Sequence, residues 1–544
     1  MLLGAAALLV VHETRGTTLW FDEWQWALER RGGGVDTFLR PHNEHLSLVP
    51  IAAYKILFAT VCIERSIAYR VVLVGAQAVC ATLVYAYARP RVGTLAAPAC
   101  AALLLTLGPG WQDLLWPFQV GWLISLAAGI GALLVLDRGD RRGEAAACAL
   151  VAVALASSGI GISIALGALV DVLWRRPRAA WVVGAPAVLY AAWWVGWADA
   201  SLAGTDVLHA PGFAADGLAA TMSALTGLAG GDATLGWGRP LAVAAAALVG
   251  WRLVRLGRVP GRVAALGTML AVFWLLTGAR RAQLTSPEES RYVHVGAVFA
   301  LLLVVELVRG VSLPRPAAIV GAMLVALVVA ANVGDLRAAA RELRGESTVT
   351  RARLGAVELA RATVDPHHVV QLPGYPFLVV RAGPYFAAAR QLGSPAATPA
   401  QLATGPEPAR IAADAELLGI VGPSLVGPPP PLGARPGRCG PVGRSFPAHT
   451  AEPLDLFVPR AGLLIATVGR PAAVFLRRFA TTFPSRPQAT LPTGRSAVLR
   501  LPPDRSTRPW RVRLVSQGRV CTLRRSGAGA RRGAGARLRG ATAP

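Results

Sequence analysis

Residues 20–26 read Trp-Phe-Asp-Glu-Trp-Gln-Trp, and the adjacent carboxylates Asp22 and Glu23 are the first candidates for chemistry. Tryptophan and phenylalanine favour a membrane–water interface, where an acid is costly unless it is paired, wetted or used. Further on, Pro41-His42-Asn43-Glu44-His45 adds a third carboxylate and two imidazoles. Such groups can take up a proton or ligate a divalent metal. A third cluster is Pro287-Glu288-Glu289-Ser290-Arg291-Tyr292, with His294 one helical turn on. A fourth is Trp111-Gln112-Asp113, followed by Trp116-Pro117-Phe118-Gln119.

Each cluster also has a plainer reading. Asp22 and Glu23 can be a solvated juxtamembrane pair. For His42 and His45, interfacial hydrogen bonding is favoured over metal ligation because no third histidine is near. Arg291 and Tyr292 can anchor a helix end. Asp113 beside Trp111 reads as a turn or belt residue. His367 and His368 read as structural, and Asp171 and Glu306 as helix-end residues that require no functional explanation.

The elements that must position these residues are mostly membrane helices. Of 544 residues, 54% are hydrophobic and mean hydropathy is +0.47, above the roughly 45–50% apolar content of soluble domains. Apolar runs fall near 46–63, 68–88, 94–109, 118–136, 145–156, 160–174, 180–197, 239–256, 262–277, 292–308 and 316–333. The net charge of +25 does not argue for nucleic acid, because the arginines sit in short loops between these runs and in the C-terminal tail. Lys55 is the sole lysine, as expected of a GC-rich genome.

Every second connection from residue 68 onward is basic: Arg89 and Arg91; Arg138, Arg141 and Arg142; Arg175, Arg176 and Arg178; Arg255, Arg258 and Arg262; Arg309 and Arg315. Positive-inside counting places these on the cytoplasmic side. Arg280 and Arg281 break the alternation. The count works if 46–63 lies in the interface, with Lys55 snorkelling to the headgroups. Eleven spans follow, with a cytoplasmic N-terminus and everything after about 334 outside. The apolar start at residues 1–11 is short for a span, which we read as a first helix truncated by a late start codon rather than a cleaved signal peptide. Runs 145–156 and 160–174 meet at Ser157-Ser158-Gly159, a break suited to a recessed site.

Beyond residue 333 no run can span. Residues 334–422 read as an α/β region, with helix over 350–361, short strands at 368–372 and 377–380, and a capping box at Thr398-Pro399-Ala400-Gln401 opening a helix towards Leu418. Residues 423–443, with Pro428 to Pro431 in a row, read as a linker or extended edge loop. Residues 444–522 read as a β-rich module with strands at 454–458, 463–468, 473–479, 497–501 and 511–515. Residues 523–544 are Gly/Ala/Arg low complexity, read as disordered, with a polybasic arm binding anionic membrane lipid as the minority reading. Cys62, Cys80, Cys100 and Cys148 suit small core positions; Cys439 and Cys521 leave a disulfide open.

An acidic pair in the first external loop, interfacial helices after it, many spans and an external C-terminal domain resemble the GT-C glycosyltransferases, and best the poorly characterised bacterial, actinobacterial-like members with an Asn-Glu-His element in that loop. The likeness covers residues 1–333 as architecture; at motif level it covers the first loop and, more weakly, Ser290-Arg291-Tyr292. It implies a mainly α, polytopic membrane enzyme with a C-terminal extracytoplasmic α/β or β-rich domain. It further implies inverting transfer of a sugar from a polyprenyl-phosphate donor to a cell-envelope acceptor at the cytoplasmic membrane. Asp22 would be the general base with Glu23 in support. Arg291, Tyr292 and His45 would bind the donor phosphate. Alternatively a divalent metal would be held by Glu44 and His45, with His42 or Glu23. Trp111 and Asp113 would border the substrate pocket. Where related enzymes lead one to expect a lysine this chain has His45. Two other readings stay open: a transporter or flippase of lipid-linked intermediates, and a non-catalytic envelope scaffold.

Overall fold

The computed structural model describes residues 2–198, 206–230, 233–311, 314–374, 379–420, 422–427, 435–441, 454–460, 462–501, 504–516 and 519–524. The chain forms two compact units. The first comprises Met1–Thr348, Gly374–Leu378 and Tyr385–Pro395; the second comprises Val349–Pro373, Val379–Pro384 and Ala396–Pro544. The boundary therefore falls inside the helix Arg315–Leu359, beyond the change of composition at residue 334.

Among the described residues, six helices are long and apolar enough to cross a bilayer: Ser66–Leu105, Pro117–Leu136, Pro177–Trp197, Gly261–Arg281, Ser290–Leu307 and Arg315–Leu359. Ser66–Leu105 is two runs in one, broken at Gly93, whose φ of 85° takes it out of the helix. The runs expected at 145–156 and 160–174 are separate helices, Arg141–Ser157 and Ile160–Arg175. Asp140 caps the first by accepting from Gly143 N at 2.7 Å. The helix Ala210–Thr226 lies in a stretch that reads from sequence as a connection. It is built of small residues, and Gly217 packs so closely on the Trp274 ring that a β-carbon would come within 2.3 Å of it. Close backbone approach rather than bulk hydrophobicity holds it, which is why no apolar run marks it.

Four helices share a common layout. Pro117–Leu136, Ile160–Arg175, Gly261–Arg281 and Ser290–Leu307 each begin or end at a network of ion pairs. Arg91 Nε meets Glu306 Oε1 at 2.5 Å and Arg91 Nη2 meets Asp137 Oδ2 at 2.9 Å. Arg262 Nη2 meets Asp137 Oδ1 at 2.5 Å, and Arg262 Nε lies 3.4 Å from Asp171. Arg175 bonds both Asp137, at 3.2 Å, and Asp171. Asp171 and Glu306 are thus members of a clamp that ties the helix ends together. The opposite ends of the same four helices border one cavity, described below.

The apolar segment at 46–63 forms the 13-residue helix Leu48–Thr60, about 20 Å long at 1.5 Å per residue. Lys55, near the middle of that helix, is partly buried. Its Nζ bonds Gly32 O and, at 2.8 Å, Thr37 Oγ1, and lies 4.4 Å from the Phe38 ring centre.

Among the described residues of the second unit are two larger antiparallel sheets. One has four strands in the order Leu454–Val458, Trp510–Ser516, Ala472–Arg477, Ala489–Leu491. The other has five in the order Ser424–Val426, Ser496–Arg500, Leu463–Val468, Arg519–Arg524, Arg435–Pro441. Strict alternation of buried and outward residues along Trp510–Ser516 is the pattern of a sheet with one covered face. The stretch 423–443 is not simply a linker: it supplies both edge strands of the five-stranded sheet, where proline's missing N–H is tolerated. Within that sheet Cys439 stands opposite Cys521 in register. The prolines 428–431 and residues 525–544 lie outside the described residues, as do 377 and 378 of the strand expected at 377–380; that strand is Val380–Arg381, paired with Val369–Val370. The capping box at Thr398 and Gln401 is present, but the helix it opens ends at Thr404, and a new one, Glu407–Ile420, begins after Gly405-Pro406. His368 has a structural partner, Glu416, at 2.7 Å.

Candidate functional site

The aromatics around the acidic pair are not a lipid-facing belt. Trp24, Trp26 and Trp116 are each 1% exposed, and Trp26 and Trp116 form a packed cluster with Trp20, Tyr54 and Phe118. Glu23 lies inside it. Its Oε1 accepts from Tyr54 OH at 2.5 Å, and its Oε2 accepts from Trp20 N at 2.9 Å and Trp116 Nε1 at 3.1 Å. Burial pushes its carboxyl up to about 7. Glu23 is the polar pin of an aromatic core, outside the cavity.

Asp22, one residue away, faces the other direction. Phe21 before it adopts φ 44°, in the left-handed region where an aromatic residue is strained. The helix Asp22–Glu29 starts there, with the Asp22 side chain on the wall of the cavity. Asp22 Oδ2 is buried and has no protein hydrogen-bond partner, and Oδ1 lies 3.8 Å from His42 Nε2, too far for a hydrogen bond. Burial raises the Asp22 carboxyl to about 6, opposed by the positive charge of Arg291, by a hydrogen bond from the Asn43 side chain and by the charge of Arg281.

The Pro41–His45 segment closes on itself in a tight turn. His42 and His45 exchange both backbone hydrogen bonds at 3.0 Å, with Asn43 at φ 48° and Glu44 at φ 71° between them. Two consecutive positive φ values define a type I′ turn; asparagine suits it and glutamate does not. Glu44 is held there by Arg280, whose Nη2 and Nε lie 2.7 and 2.9 Å from Oε2, and more loosely by Arg281 at 4.0 Å. His45 packs on Gly159, where a β-carbon would come within 2.5 Å of its Nδ1. Only glycine at this helix break lets the turn dock. Burial pushes both imidazoles down, His42 to about 3 and His45 to about 4, so both are neutral at pH 7.

These pieces surround one cavity of about 660 Å³, within the roughly 300–1,000 Å³ of small-molecule pockets. Asp22, His42, Glu44, His45, Arg291 and Tyr292 all border it, as do Arg280 and Arg281. So do Ser157, Ser158 and Gly159 of the helix break. Three arginines and one buried carboxylate thus share an otherwise largely apolar, aromatic-walled space.

Trp111 and Asp113 do not border it. Trp111 packs against the Trp20 ring, 5.8 Å between centres. Asp113 is fully buried with neither oxygen bonded, and burial raises its carboxyl far above the ordinary range. Glu289 and Ser290 are spent on the same short helix: Gln112 Nε2 donates to Glu289 and Gln112 N to Ser290 Oγ, both at 2.9 Å. Glu44 is engaged by arginines, Glu23 by three donors, and among the described residues no group of three His, Cys, Asp or Glu side chains is placed to hold an ion. The positive charge at this wall is arginine's. Arg280 and Arg281 were absent from the candidates, although their break with the positive-inside alternation marked them. Gln119, the last residue of the fourth sequence cluster, is fully buried on the cavity wall.

No protein-family model matches this chain, and no curated protein matches it.

Proposed function

We propose that the chain is an integral-membrane glycosyltransferase that moves a sugar from a polyprenyl-phosphate donor to an acceptor outside the cytoplasmic membrane. In this reading eleven segments span, the ion-pair network is the cytoplasmic end of the bundle, and the cavity opens at the outer end. The observation that carries the reading is the partnerless Oδ2 of Asp22 on a cavity wall shared with three arginines.

Asp22 accepts the proton of the acceptor hydroxyl as that oxygen bonds to the anomeric carbon. The bond from the anomeric carbon to the lipid phosphate breaks on the opposite face, inverting the centre. The departing phosphate carries both electrons of that bond, and Arg280, Arg281 and Arg291 stabilise its charge. A base near pH 6 is matched to work at neutral pH. His42 and His45, being neutral, shape the turn and add no charge.

The test is complementation. A deletion strain lacking an envelope glycoconjugate, given an Asp22→Ala allele expressed at the normal level, stays deficient. Full restoration by that allele removes Asp22 from the chemistry. The helix break at Ser158-Gly159 favours a second reading, a transporter of lipid-linked intermediates, since transporters use broken helices at their sites. Reconstituted vesicles separate the two: a transferase makes a new glycosidic bond, and a transporter returns the lipid-linked sugar chemically unchanged.

A further inference from the structure

We infer that Gln119, together with Trp26 and Ser158, forms a subsite that grips the hydroxyl groups of a neutral monosaccharide ring beside Asp22. The inference rests on the transferase reading and specifies what occupies the cavity next to its arginines.

Gln119 is fully buried, and neither its Oε1 nor its Nε2 has a protein partner. A buried amide with both ends unmade is costly, and a leucine of similar size would avoid that cost. Trp26 Nε1 and Ser158 Oγ are likewise partnerless, on side chains 1% and 4% exposed. All three border the same cavity as the unpaired oxygen of Asp22. The contrast with the neighbouring indoles is informative. Trp20 donates to Glu346, Trp24 to Leu19 O and Trp116 to Glu23. Only the member of this cluster that borders the cavity keeps its donor unspent.

The set offers the amide's two donors and one acceptor, an indole donor, a hydroxyl that does both and a carboxylate acceptor. Sugar hydroxyls are donor and acceptor at once, so a mixed set is what they require. The aromatic walls suit the C–H faces of such a ring, as in other apolar pockets with few placed polar groups. A carboxylate within the set disfavours an acidic sugar. The arginines border the same cavity, where the transferase reading puts the phosphate.

The experiment uses the full chain in lipid nanodiscs and follows quenching of tryptophan fluorescence. The probes are farnesyl phosphate and the same lipid phosphate carrying glucose, mannose, galactose or arabinose. Wild type is expected to bind at least one sugar-bearing probe about tenfold more tightly than farnesyl phosphate. Gln119→Leu should reduce that preference to about twofold or less while binding farnesyl phosphate as before. Its unfolding temperature should not fall, since no internal hydrogen bond is lost. Ser158→Ala, a smaller change, should weaken the preference in the same direction.

A preference unchanged in both variants means that the polar atoms serve only bound water, and overturns the subsite. Equal weakening of all probes by Gln119→Leu, with a lower unfolding temperature, assigns it a structural role and also overturns it. Wild type that binds lipid phosphate with no regard to the sugar overturns the subsite but spares the arginine site. Wild type that binds none of the probes overturns the transferase reading and this inference together.

Discussion

The two adjacent carboxylates are predicted to respond to pH through different consequences of burial, and Asp22→Asn is the informative perturbation. Burial raises the Asp22 carboxyl from 3.8 to about 6. At 1.36 kcal/mol per pH unit, that difference amounts to ~3 kcal/mol against the ionised form in the folded chain. Because the folded value is the higher one, stability linked to Asp22 is complete below pH 3.8 and is lost as pH rises through about 6. An asparagine removes the titration and keeps the shape. Asp22→Asn should therefore be more stable than wild type by up to ~3 kcal/mol at pH 8, and the advantage should shrink on acidification and vanish near pH 4. His42 and His45 have lowered values and act in the opposite sense, losing stability as pH falls below their unfolded value of 6.5. The difference between variant and wild type at each pH cancels them. The measurement is thermal unfolding of the purified chain in detergent, followed by tryptophan fluorescence at several pH values and one scan rate. Glu23→Ala is the contrast. It strands the Tyr54, Trp20 and Trp116 donors, each worth about 1–3 kcal/mol when left unpaired in a buried site. Even after the release of its own raised carboxyl it should unfold below wild type at pH 5, where that release is small. If Asp22→Asn unfolds at or below the wild-type temperature at pH 8, or its advantage does not fall with pH, Asp22 is not a desolvated carboxylate on a cavity wall.

Sugar transfer should show an acid limb near pH 6, set by Asp22, and Arg291→Ala should move that limb upward, because Arg291 is the charge that most opposes the effect of burial; an unmoved limb separates the two residues. Glu44→Gln should leave transfer intact and tighten binding of farnesyl phosphate by a few-fold, since a half-exposed ion pair with Arg280 is worth about 0.2–1 kcal/mol to a competitor. Loss of activity in that variant would instead make Glu44 a working ligand. Asp137→Ala removes the acceptor shared by Arg91, Arg175 and Arg262. Each arginine keeps a second carboxylate, Glu306 for Arg91 and Asp171 for Arg175 and Arg262, so the change should cost about 1.5–3 kcal/mol in thermal unfolding, the scale of a lost charge-assisted hydrogen bond, without altering the affinity for lipid phosphate.

Sequence by itself determined the elements whose cause is local. Apolar runs set the helices, the Thr398–Gln401 box set a helix start, and the segments 454–458, 463–468, 473–479, 497–501 and 511–515 read as strands, all through interactions within a few residues. It also singled out Asp22, Glu44, His45 and Arg291, because charged side chains beside apolar runs are conspicuous. It did not show the helix Ala210–Thr226, whose support is close packing on Trp274, or the pairing of the 423–443 stretch at two sheet edges, which long-range register decides.

Only the tertiary structure decided what each acid does. Asp22 and Glu23 share composition and neighbours, yet a strained Phe21 and one helical step send one to the cavity and the other into three hydrogen bonds. Arg280 and Arg281 looked like an error in a charge count until the turn at Asn43-Glu44 met them. Gln119 is an ordinary glutamine until both ends of its amide are seen to lack a partner. The physical reason is common to all three: desolvation and pairing depend on neighbours far away in the chain, and those neighbours, not the residue type, set charge state and role.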